Sequence, residues 1–224
     1  MKCKNVLVIS VHPDDETIGC GGTILKHKDN GDKITWLILT SAETRYGYSY
    51  QQVMEEKKQV ENIGKAYGFD KIYNLKFGPA KINYDIFSNL INKISEVMYK
   101  VKPEIVYMIN RSDVHTDHQI GAKAILSCTK SFRYPFIKRV LMYECLSETE
   151  IAPQFQENIF VPNVFSNITK YIEKKLDILK LYKTELQDIP QPRNEESVKA
   201  LARYRGCTAC TKYAEAFMLV RDVF

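Results

Sequence analysis

Residues His12-Pro13-Asp14-Asp15-Glu16 place an imidazole and three consecutive carboxylates directly after the apolar run Val6-Leu7-Val8-Ile9. Carboxylates that close repel one another, and the repulsion costs stability unless a proton or a cation offsets it. A second cluster, Asp113-Val114-His115-Thr116-Asp117-His118, follows the apolar run Glu104 to Ile109. Three of the four histidines fall in these two stretches. Brought together, His12, Asp15 and His118 supply two imidazoles and one carboxylate. That donor set suits a divalent transition metal, zinc (Zn2+) first, with iron(II) (Fe2+) accepting the same atoms, and leaves a position open for water. Adjacent side chains in a tight turn point in different directions, so one acid binds and the other acts. Asp15 is assigned to the metal, and Asp14 to the general base that takes a proton from the activated water. His115 is the expected positively charged partner that stabilises an oxyanion or protonates a leaving amine. Asp117 or Asp113 would hold its ring in one tautomer.

Structural roles compete with these assignments. Asp14 or Asp117 can serve as an N-cap for the helix that follows, where acids are favoured. Gly19, Gly21 and Gly22 echo a dinucleotide loop but lack the full G-x-G-x-x-G spacing, and the neighbouring acids would repel a pyrophosphate. These glycines are expected to permit close packing of a helix on a strand. His27 lies mid-helix and is expected on the surface.

The elements that must position these loops follow from periodicity. A buried strand is predicted over residues 5 to 10, a helix over 19 to 29 that opens on Gly21-Gly22, and a second strand from Ile34 to Thr40. Strand, helix, strand within about 35 residues is the spacing of a right-handed crossover and hence of a parallel sheet. The alternation continues with a helix from Gln51 to Tyr67, a strand from Lys71 to Leu75, a helix from Ile82 to Lys100 and a strand from Glu104 to Ile109. Further helices are predicted at Gln119 to Cys128, Lys170 to Gln187 and Ser197 to Arg205. A strand is expected at Arg139 to Cys145, and the apolar ending Ala216 to Val220 is expected at the sheet edge. Together these predict a Rossmann-like, doubly wound α/β fold, with chemistry at the carboxyl ends of the strands, just after residues 9, 40 and 109.

The chain of 224 residues, 45% apolar, is sized for a single domain spanning 1–224. Its net charge of +5 is spread along the chain, which argues against a nucleic-acid partner. The start MKCKNVLVIS reads as a first strand and not as a signal peptide. No window approaches the roughly 18 apolar residues of a membrane helix, so a soluble, cytoplasmic protein with no membrane partner is expected. The six cysteines are too sparse for a disulfide scaffold and are expected as reduced thiols. Cys207 and Cys210 form a lone C-x-x-C without the second pair that a zinc site would want.

At His12-Pro13-Asp14-Asp15-Glu16 and His115-Thr116-Asp117-His118 the sequence resembles the PIG-L/LmbE-like deacetylases, whose soluble members act in bacillithiol and mycothiol synthesis. The likeness extends to Thr40 to Arg45 and to Tyr213-Ala214-Glu215-Ala216-Phe217, and so covers nearly the whole chain. It implies an LmbE-like fold and zinc-dependent removal of an acetyl group from an amino-sugar conjugate of the N-acetylglucosamine type, a small-molecule substrate. It also implies His12, Asp15 and His118 as ligands, Asp14 as base, and His115 at the oxyanion and leaving group. Family members are often homo-oligomers. Arg45, and with it Asp113, is the candidate for substrate binding, Arg45 by gripping a hydroxyl or phosphate of the aglycone. The competing expectations are an amidase acting on a non-sugar acylated metabolite and a non-catalytic sugar-binding protein on the same fold.

Overall fold

The computed structural model describes residues 3–224. Seven strands form one sheet in the order β3-β2-β1-β4-β5-β7-β6: β1 (Asn5–Ser10), β2 (Lys33–Thr40), β3 (Lys71–Phe77), β4 (Ile105–Ile109), β5 (Arg139–Tyr143), β6 (Val164–Asn167) and β7 (Ala214–Asp222). The five strands β3-β2-β1-β4-β5 are parallel, whereas β7 runs antiparallel to both β5 and β6. Strands β1, β2 and β4 are buried almost throughout. That explains their unbroken apolar runs, because a parallel strand covered on both faces has no solvent side to alternate with. The order reverses between β1 and β4, and their carboxyl ends therefore diverge to leave a crevice.

The helices are α1 (Asp15–Asp29), α2 (Tyr50–Tyr67), α3 (Phe87–Val101), α4 (Thr116–Ser127), α5 (Ile172–Leu179) and α6 (Glu195–Thr208). Helix α2 begins with a reciprocal cap between Ser49 and Gln52 and stops at Gly68, whose φ of +69° needs no Cβ to be accommodated. Helix α3 is preceded by a separate turn at Tyr84–Ile86 and so starts later than expected.

Four sequence expectations are corrected. Helix α1 starts at Asp15, not at residue 19, but breaks at Cys20 (φ −142°, ψ 19°). The second half is capped from outside: the Glu215 carboxylate accepts hydrogen bonds from Gly22 N (2.8 Å), Thr23 N (2.7 Å) and Thr23 Oγ1 (2.6 Å). Strand β7 is not the sheet edge, because the unforeseen β6, with its weak pattern VFSN, pairs outside it. Helix α5 is half the predicted length and gives way to an irregular segment after Leu179. His27 is largely buried, its ring bonded to Asp32 Oδ2 (2.6 Å) and Tyr107 OH (2.9 Å). The glycines of α1 do serve close packing, since a Cβ at Gly19 would lie 2.1 Å from Tyr143 Cδ2.

Candidate active site

The loops after β1 and β4 meet in the crevice. His12 Nδ1 and His118 Nε2 are 3.2 Å apart, and His118 Nε2 lies 3.4 Å from Asp15 Oδ1. Asp15 is positioned by its own local backbone. Asp15 Oδ2 accepts from the amides of Val11 and His12, both at 2.9 Å, which closes the β1 turn and leaves Oδ1 toward the imidazoles. Burial opposes charge on Asp15, but His118 and His12 outweigh it and hold the acid well below the ordinary carboxylate range. His118 is buried, and its second ring nitrogen, Nδ1, is bonded to Asp113 Oδ2 at 2.9 Å. That contact fixes the ring so that Nε2 faces the cluster. Asp113 is itself held by Asn110 Nδ2 (3.0 Å) and Thr149 Oγ1 (2.7 Å).

Asp14 stands apart from this set. It makes no side-chain cap with α1 and adopts φ 155°, ψ −29°, a strained backbone for a residue with a side chain. Its Oδ2 accepts from Arg193 Nη1 at 2.6 Å, while Oδ1 is buried with no partner. Burial, aided by the Asp15 charge and opposed by Arg193, pushes Asp14 up to about 7. Glu16 has a different fate: burial pushes it up to about 8, and its Oε1 accepts from Tyr182 OH and Thr17 Oγ1 beneath the site.

His115 caps α4, its Nδ1 accepting from Asp117 N at 3.0 Å. An acceptor Nδ1 requires the Nε2–H tautomer in the neutral ring. Burial first, then the neighbouring His12 and His118, lowers His115, so the surroundings oppose the positive charge expected for it. Asp117 does not clamp His115 through its carboxylate. It instead accepts from Ala80 N (2.7 Å) and Ile82 N (3.1 Å) and lies 3.2 Å from His12 Nε2, tying the loop after β3 to the site. Two groups of donor atoms lie within 4.8 Å of one another, His12 with Asp15 and His118, and His12 with His115 and Asp117. In the first, Asp15 Oδ1 is left free of backbone amides, whereas in the second both oxygens of Asp117 and His115 Nδ1 already serve them.

A cavity of about 450 Å³ opens over this floor, with His12, Asp14 and His115 in its lining. Arg45 is not in that lining; its guanidinium donates to the Lys76 carbonyl at 2.6 Å. Asp113, expected at the substrate, is instead fully buried behind His118, with Oδ2 on that ring and no place in the cavity lining. Arg193 is the residue that sequence reasoning missed. It sits in the irregular segment before α6, 179 positions from Asp14, and no motif or period marks it.

A family described as "PIG-L: GlcNAc-PI de-N-acetylase" matches residues 7–129, more than half of the chain and both histidine loops. The chain belongs to the PIG-L family. Diacetylchitobiose deacetylase of Thermococcus kodakarensis is 26% identical over 232 residues, covering 99% of this chain and 85% of that protein. A probable N-acetyl-alpha-D-glucosaminyl L-malate deacetylase 2 of Bacillus cereus is 22% identical over 192 residues, covering 82% of this chain and 84% of its own. Among solved structures, the conserved protein TT1542 of Thermus thermophilus superposes with a TM-score of 0.80 at 24% identity, over 99% of this chain and 96% of that one. The fold is thus that of other PIG-L-like chains, and no helix among the described residues is long and apolar enough to cross a membrane.

Proposed function

We propose that this PIG-L chain is a metal-dependent hydrolase, zinc first, that removes the acetyl group from an N-acetylglucosamine-type amino sugar or glycoconjugate. The reading is carried by one juxtaposition: the His12, Asp15 and His118 donor set lies beside Asp14, whose buried Oδ1 has no partner, at the floor of the cavity. Family membership supports it, as do the N-acetylglucosamine conjugates in the names of two relatives. The six cysteines, all unpaired, support a cytoplasmic setting.

The donor set fits zinc or iron(II) by atom type and by the Asp113 contact that orients His118. A cation held there supplies Lewis-acid polarisation of an amide carbonyl and brings the pKa of a water to about 7. Asp14 takes the proton of the attacking water. The Arg193 contact to Oδ2 keeps that carboxylate in place without occupying Oδ1. Neutral His115, with Nδ1 committed to the Asp117 amide, donates from Nε2–H to the oxygen on which charge develops. The proton collected by Asp14 then passes to the departing nitrogen as the C–N bond breaks, releasing acetate and a free amine.

The test is acetate release from N-acetylglucosaminides by protein loaded with zinc or iron(II). Asp14→Asn should lower turnover by roughly 10²- to 10⁴-fold, the typical share of a general base, with metal content unchanged by elemental analysis. Absence of acetate release from every N-acetylglucosaminide, with release from acylated non-sugar amines, would move the protein to the amidase reading.

A further inference from the structure

One face of α2 forms part of the cavity wall. Gln52, Glu55, Glu56 and Gln59 all line it, and their spacing of three, one and three residues places them on a single helical stripe. Thr184 and Glu185 belong to the same lining, Glu185 beside Arg193. Glu56 is anchored, both oxygens accepting from Ala42 N at 3.0 Å. Glu55 takes only Gln51 Nε2, from its own helix, at 2.8 Å. These groups therefore present carboxylates and amides to whatever extends outward from the cleavage point.

Arg193 is the only lysine or arginine in the lining, and it is already committed. Its Nη1 donates to Asp14 Oδ2 (2.6 Å) and lies 3.5 Å from Glu185 Oε2, its Nη2 donates to Glu148 Oε1 (3.2 Å), and its Nε to Ser147 Oγ (2.7 Å). No uncommitted basic side chain in that lining is left to receive a carboxylate or phosphate. The cavity has the size of a small-molecule site, and Asp14, only 1% exposed and with an unpartnered Oδ1, is among its lining residues.

We propose that the α2 stripe of Glu55, Glu56, Gln52 and Gln59, together with Glu185 of the same lining, makes the site selective for amino-sugar conjugates whose second group is uncharged or carries a protonated amine, such as a second hexosamine with a free amino group. Conjugates bearing a carboxylate or phosphate on that group are turned away. This rests on the deacetylase reading for the reaction but not for the charge preference, which a binding measurement reads separately. The two amides give hydroxyl-binding donors and acceptors, and the carboxylates accept from hydroxyls or an ammonium at no cost in repulsion. An anionic group meets like charge from Glu55, Glu56 and Glu185 in the lining.

The experiment compares three N-acetylglucosaminides on the zinc-loaded protein, identical except for an aglycone ending in methyl, aminoethyl or carboxyethyl. The carboxylate should fall at least about ten-fold below the methyl compound in kcat/KM, and the amine should match or exceed it, with the spread shrinking in 0.5 M salt as screening dictates. The double variant Glu55→Gln with Glu185→Gln should bring the carboxylate to within about three-fold of the methyl compound, since the isosteric amides keep hydrogen bonding and remove charge. In parallel, the same three aglycones carried on glucose, which has no amide to cleave, are ranked as ligands by calorimetry. If no acetamide releases acetate while the glucosides still rank amine over carboxylate, the charge preference stands and the deacetylase reading falls. An equal or reversed ranking of carboxylate in turnover, or among the glucosides, overturns the preference even if acetate is released freely.

Discussion

Replacing Lys175 with methionine isolates the element that supports the broken helix carrying the first motif. The Lys175 ammonium is buried between α1 and β7, donating to Glu215 Oε1 at 2.7 Å and to the Ile18 carbonyl at 2.8 Å. Glu215 in turn receives three donors from Gly22 and Thr23, just past the break at Cys20. In Lys175→Met the methylenes are kept and the positive charge is lost, leaving a buried carboxylate. Breaking a buried pair from one side costs about 3–5 kcal/mol, and the three remaining donors put this case at the lower end, about 3 kcal/mol. At roughly 2–4 °C per kcal/mol for a chain of this size, the melting temperature should fall by about 6–12 °C. Urea unfolding at pH 8 measures the loss directly. A loss below about 1 kcal/mol at pH 8 would refute the idea that the ammonium is what holds Glu215 in place beneath the broken helix.

Asp113→Ala removes the carboxylate behind His118 Nδ1 and should weaken zinc binding by about 10- to 100-fold in a chelator competition; unchanged affinity would show that the ring needs no such support. Gly19→Ala drives a methyl into the buried Tyr143 ring, whose hydroxyl is tied to the Ile9 carbonyl at 2.8 Å, and should cost at least about 1–3 kcal/mol in urea unfolding. Burial first lowers the pKa of His27 from 6.5, against the pull of Asp32. The unfolded chain therefore takes up a proton before the folded one does, so this group's contribution is present above pH 6.5 and is lost as the pH falls toward the lowered folded value. The urea midpoint of the native protein should drop between pH 7 and pH 5 by more than that of His27→Gln; parallel slopes would remove His27 from the account.

The residues of the candidate site could be nominated before any coordinates because they lie close together in the sequence. His12, Asp14 and Asp15 share one turn after an apolar strand, and His115 and His118 share another, so residue type and adjacency alone nominate them. The alternation of apolar strands with helices then puts both turns at one edge of a parallel sheet. Arg45 misled for the same reason: a basic residue in a loop on the correct edge cannot be told from one whose guanidinium turns to the Lys76 carbonyl. His27 misled because its polar neighbours Asp32 and Tyr107 come from a loop and a distant strand that helical periodicity does not register.

What this sequence determined by itself was the α/β alternation and the two loops with their candidate donors, since each depends on side chains a few residues apart and on periods of two or 3.6. Tertiary structure alone decided that β7 lies inside the sheet between β5 and β6, that Asp113 is buried against the His118 ring, and that Arg193 holds Asp14. Contacts such as the last form when packed elements carry remote segments within hydrogen-bond distance, and no pattern along the chain encodes which irregular loop will arrive.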